Sequence, residues 1–164
     1  MAMEEIIVNT HDDFLNEAFR EAFESVSNMV GGPFGAVIVK HGKIIGRGGN
    51  RVVLQNDPTA HAEIVAIREA CSQMNTFDLS GSVLYATCEP CPMCLSAIYW
   101  ANIEKVFYSS TRHDAADIGF RDSYIYEELG QAPEERKLVF RQIDHPMAAK
   151  LFRTWSDKLD KTPY

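Results

Sequence analysis

The chain has 164 residues, 46% of them hydrophobic, which suits one catalytic domain (1–164) with a real core. Its net charge of −7 and pI of about 5.2, with Lys and Arg scattered, disfavour a nucleic-acid partner. No apolar run approaches the roughly 18 residues that span a bilayer, and the Met-Ala-Met-Glu-Glu start lacks the features of a secretory signal, so a cytoplasmic protein off the membrane is expected.

In chain order, Phe14, Leu15, Ala18, Phe19, Ala22, Phe23 and Val26 recur at intervals of three or four and predict an amphipathic helix over 11–28. Two apolar runs, 34–40 and 43–47, flank His41-Gly42 and predict a β-hairpin. Asp57-Pro58 reads as a cap followed by a first-turn proline, which would start a helix there and put His61 and Glu63 in its opening turns. A strand is expected at 82–87, a helix from Cys91 to about Ala101 and a strand at 105–109. Beyond a polar stretch, a strand at 138–143 and a helix over 146–159 complete a layered α/β domain, with helices on both faces of the sheet.

Cysteines stand at 71, 88, 91 and 94, and three of the four within seven positions point to metal binding or reactive thiols rather than to disulfides. His61-Ala62-Glu63 is followed by Pro90-Cys91-Pro92-Met93-Cys94. One histidine and two cysteines suit Zn²⁺ with its fourth position left to water, which is the mark of a catalytic site. Spacing of three residues puts both sulfurs on one side of a helix start, where the helix dipole favours thiolate. Two thiolates cancel the charge of the ion, so such a site acidifies water less than a three-histidine site does, and a nearby base is needed. Glu63 is the candidate proton carrier.

The His-x-Glu and Pro-Cys-x-x-Cys pair is the signature described for the zinc nucleobase deaminases. From about residue 12 onward the chain resembles the cytidine-deaminase-like zinc hydrolases, and more narrowly the bacterial guanine deaminases. The segments 31–39, 56–63, 88–95 and 98–100 carry the resemblance. It implies a three-layer α/β/α sandwich with a mixed five-stranded sheet, one Zn²⁺ held by His61, Cys91 and Cys94, and hydrolysis of guanine to xanthine and ammonia. It further implies that Phe34, Asn50, Trp100, Asp122 and the terminal Tyr164 grip the purine, that Asp122 serves as a second proton carrier, and that the protein is a homodimer with an exchanged C-terminal segment. The tail departs from the pattern in having Pro163 next to the last residue.

Taken singly, several of these residues have plainer readings. Phe34 and Trp100 are residue types that commonly fill cores, Asp122 sits among other surface acids, and Tyr164 is a chain end. Cys88 forms a second Cys-x-x-Cys with Cys91 and would close a structural zinc site, although its place at a strand end favours packing beside the site. Within the deaminases, guanosine, ammeline and tRNA adenosine stay open as substrates; outside them, a structural zinc-binding module would keep the metal without needing Glu63.

Overall fold

The computed structural model describes residues 10–163, so Tyr164 lies outside the described residues. Two compact units divide the chain, Met1–Ile125 and Tyr126–Tyr164.

The first unit opens with α1 (His11–Ser27). Thr10 caps it reciprocally: the Thr10 hydroxyl accepts from the Asp13 N–H, and the Asp13 carboxylate accepts from the Thr10 N–H at 2.7 Å. A hairpin follows, β1 (Gly35–Lys40) and β2 (Lys43–Gly49), turned by His41 and Gly42, which both have positive φ as a two-residue turn of this kind requires. After the short α2 (Val52–Gln55) come α3 (Ala62–Met74), β3 (Ser82–Cys88), α4 (Pro92–Trp100), β4 (Lys105–Ser110) and α5 (Arg112–Asp117), and then α6 (Asp122–Gly130) begins. Helix α3 is capped at His61 and not at Asp57. The Asp57 carboxylate is spent on a tight turn instead, accepting from both the N–H and the hydroxyl of Thr59.

The strand order is β2-β1-β3-β4, antiparallel across the first two pairs and parallel between β3 and β4. Alternation sorts the side chains into two cores. Val37, Val39 and Tyr85 pack with Phe14 beneath α1, while Ala36, Ile38, Leu84 and Ala86 face Ala62, Ala66 and Ala70 of α3 and Ile98 of α4. These are the three layers of an α/β/α arrangement. Helix α3 lies unusually close to the sheet because its alanines meet Gly46 and Gly48 of β2. A Cβ at either glycine would overlap the carbonyl oxygen of Ala66 or Ala62.

Among the described residues the sheet has four strands and not the five expected. Residues 138–143 form no ladder, and Leu138, Val139, Phe140 and Ile143 are exposed. The physical reason is the lack of a neighbour: among its described residues the second unit holds the rest of α6, a 3₁₀ turn (Pro133–Glu135) and α7 (Pro146–Ser156) but no strand to pair with. Among the described residues no helix is long and apolar enough to cross a membrane.

Candidate active site

The ends of two helices create the site. His61 is the N-cap of α3 and Cys91 the N-cap of α4; both have extended backbone, and neither side chain makes a capping hydrogen bond. Both side chains instead point at one place, where Cys94, in the first turn of α4, joins them. The ligating atoms of His61, Cys91 and Cys94 all lie within 4.8 Å of one another. His61 Nδ1 is 3.5 Å from each sulfur. Zinc bonds of about 2.3 Å to sulfur and about 2.0 Å to nitrogen, opened to a tetrahedral angle, place N and S roughly 3.5 Å apart. The three residues therefore fit a tetrahedral zinc ion, and two positive helix ends add to the pull on its thiolates.

Hydrogen bonds from Cys94 and from His61 hold the Cys91 thiol down at about 4, even though burial opposes them. Cys94 is held well up because it donates to Cys91 and is buried, so the pair shares a proton that a divalent cation would replace. Cys88 behaves differently. Burial pushes its thiol up to about 12, and it donates to the Thr111 carbonyl oxygen at 3.5 Å, so it stays a thiol and packs beside the trio.

Glu63, in the first turn of α3, is buried at 7% exposure, and burial pushes its carboxyl up to about 7. A proton carrier is most useful when its affinity lies near the working pH. Glu63, His61 and Cys91 line a cavity of about 550 Å³ whose other walls include Phe34, Asn50, Phe120 and Asp122.

Asn50 follows β2 and is buried. Its N–H donates to the Phe34 carbonyl oxygen at 3.0 Å, and its side-chain oxygen accepts from the Val52 N–H at 3.2 Å. That second bond orients the amide, leaving the NH₂ group as the donor for a ligand. Gly31 makes the arrangement possible, since a Cβ there would overlap Asn50. Asp122 also lines the cavity, from the start of α6, with burial raising its carboxyl.

Of the residues singled out in the sequence, His61, Glu63, Cys91, Phe34, Asn50 and Asp122 come together around one cavity, with Cys94 completing the trio. Trp100 does not line it; it ends α4 at 64% exposure. Phe120 was missed by sequence reasoning. It meets Phe34 edge-on with ring centroids 4.6 Å apart, and it follows Gly119, whose positive φ turns the chain into the cavity. A glycine-aromatic pair just ahead of Asp122 was the signal available.

The fold and the trio define a zinc-binding deaminase domain, and the chain belongs to the cytidine and deoxycytidylate deaminase zinc-binding family, whose sequence profile matches residues 8–110. Within that family it is 48% identical to the guanine deaminase of Bacillus subtilis, over 94% of this chain and 99% of the relative. The crystal structure of guanine deaminase from Bacillus subtilis superposes with a TM-score of 0.91 at 47% identity, covering 95% of this chain and 99% of that one. A tRNA-specific adenosine deaminase of Aquifex aeolicus is 48% identical over 79% of this chain and 93% of its own length.

Proposed function

We propose that this protein is a zinc-dependent hydrolase that removes the 2-amino group of guanine, giving xanthine and ammonia. One observation carries the choice of substrate: the likeness to a guanine deaminase takes in almost the whole of both chains, more of this chain than the likeness to the tRNA enzyme does. The net charge of −7 also weighs against a tRNA partner.

His61, Cys91 and Cys94 would hold a zinc ion, which would supply Lewis acidity and so make a water easier to deprotonate. Glu63 takes the proton from that water and returns protons to a ring nitrogen and to the departing amine, as a C–O bond forms and the C–N bond breaks. Asn50 donates its NH₂ group to the carbonyl edge of the base. Asp122 accepts from a ring N–H and serves as the second proton carrier. Phe34 and Phe120 bound the flat ring.

The whole chain then acts as one catalytic domain in a homodimer that exchanges its C-terminal segment, with Tyr164 and Trp100 closing the sites. Two features support this reading. The strand β4 offers an edge with Phe107 and Tyr108 exposed, and separately Leu138, Val139, Phe140, Leu151 and Phe152 leave apolar side chains uncovered in the second unit. The thiols of Cys71 and Cys88, which stand outside the metal trio and form no disulfide, support a cytoplasmic site of action.

Ammonia release from guanine, guanosine, adenine, ammeline and a tRNA anticodon hairpin, each with zinc-loaded protein, tests the assignment. Guanine is expected to be turned over fastest. A protein that ignores guanine but deaminates another member of the panel would overturn the substrate and keep the reaction class.

A further inference from the structure

Glu89 stands between the end of β3 and the metal segment that begins at Pro90. Its backbone N–H donates to the Ser110 carbonyl oxygen at 2.8 Å, continuing the β3–β4 pairing past its last rung. Its carboxylate Oε2 accepts from the Arg112 N–H at 3.1 Å, and the Arg112 guanidinium lies 3.8 Å from Oε1. The Arg112 carbonyl oxygen in turn accepts from the Ser123 hydroxyl at 3.3 Å. Ser123 is the neighbour of Asp122. Both ends of the segment 112–123 are thus fastened through Arg112 to one side chain next to the zinc ligands. Between those ends, the chain runs through α5, turns at Gly119 and sets Phe120 against Phe34.

We propose that Glu89 is a positioning residue for the deamination: it clasps the segment 112–123 to the metal-binding segment and so fixes Asp122 on the wall of the cavity that Glu63 also lines. The inference rests on the reading of Asp122 as a proton carrier. The side chains of Glu89 and Arg112 are 21% and 35% exposed, so the bond between them is partly withdrawn from water, and charge-assisted bonds of this kind are the stronger ones. Asp122 is itself at the start of a helix and has no hydrogen bond in the clasp, so its placement depends on what holds its neighbours. A misplacement of about 1 Å in a catalytic group costs on the order of 100-fold in rate.

The test compares E89A, E89Q, S123A, D122N and the double variant E89A/D122N in zinc-loaded protein, with guanine as substrate. E89A is expected to lower kcat/KM by about 10- to 100-fold while zinc content and circular dichroism stay close to wild type. E89Q keeps an oxygen for the Arg112 N–H and is expected to recover most of the loss, and S123A to show a smaller loss in the same sense. Acting through Asp122, the E89A substitution should slow D122N no further. A double variant slower than D122N by the full E89A factor overturns the clasp alone. So does a loss in E89A matched by an equal loss of zinc. D122N working at wild-type speed overturns the Asp122 reading and the clasp together.

Discussion

Glu63 is wanted as a base because two thiolates leave the metal site nearly neutral, and its burial at the foot of the cavity keeps the carboxyl near the pH at which it must work. Glu63→Gln preserves the shape and removes the proton affinity. It is expected to retain zinc and to lose about 10²- to 10⁴-fold in kcat, read by ammonia release beside metal analysis. Asn50 is bound by a different constraint. Its oxygen already serves the Val52 N–H, so Asn50→Asp keeps that bond and replaces the ligand's donor with an acceptor. A fall of about 10- to 100-fold in kcat/KM for guanine is expected, the cost of an unmatched buried polar group. At this scale the metal trio and Glu63 were legible, because ligand chemistry imposes the spacing of His-x-Glu and Cys-x-x-Cys on the chain itself. Phe120 and Glu89 were not, because their partners, Phe34 and Arg112, lie far off in sequence and meet them only after folding.

Helix α3 carries His61 and Glu63, and its height above the sheet is set by the glycines of β2. Gly46→Ala would push the helix away from the strand. It is expected to cost about 1–3 kcal/mol in thermal or denaturant unfolding, as overpacking of a close contact does, and to loosen zinc as well. Helix α1 supplies a pH-dependent case. Glu21 is half-buried, and burial and then the nearby Glu24 raise its carboxyl above the unfolded value of 4.5. A raised acid is destabilising wherever it is ionised, so the penalty is full above the folded value and is relieved as pH falls through that value toward 4.5. Glu21→Gln should therefore raise Tm at pH 7 and give a shrinking gain toward pH 4, followed by melting curves across that range. The hairpin and α1 were legible because their signals are local, a glycine turn and an apolar spacing of three to four residues. The start of α3 was misplaced because Asp57 offers the same oxygen to a turn that it would offer to a helix.

For the whole molecule, the apolar-rich stretch at 138–143 has the composition of a strand but no edge to join within its own unit, so the sequence alone overstated the sheet. If that stretch completes the sheet of a second copy, light scattering should report two chains. Val139→Pro, which removes a strand N–H, should then shift the protein toward a single chain. The two uncapped helix starts have a thermodynamic consequence. His61 and Cys91 leave their own helices without the side-chain bond that ordinarily contributes about 1 kcal/mol at an N-cap, because each is reserved for the metal. The bound ion is then a fastener between the openings of α3 and α4, and folding energy is stored in it. Chelation should lower Tm and speed amide exchange first at residues 62–66 and 92–96, before the sheet between the layers begins to open.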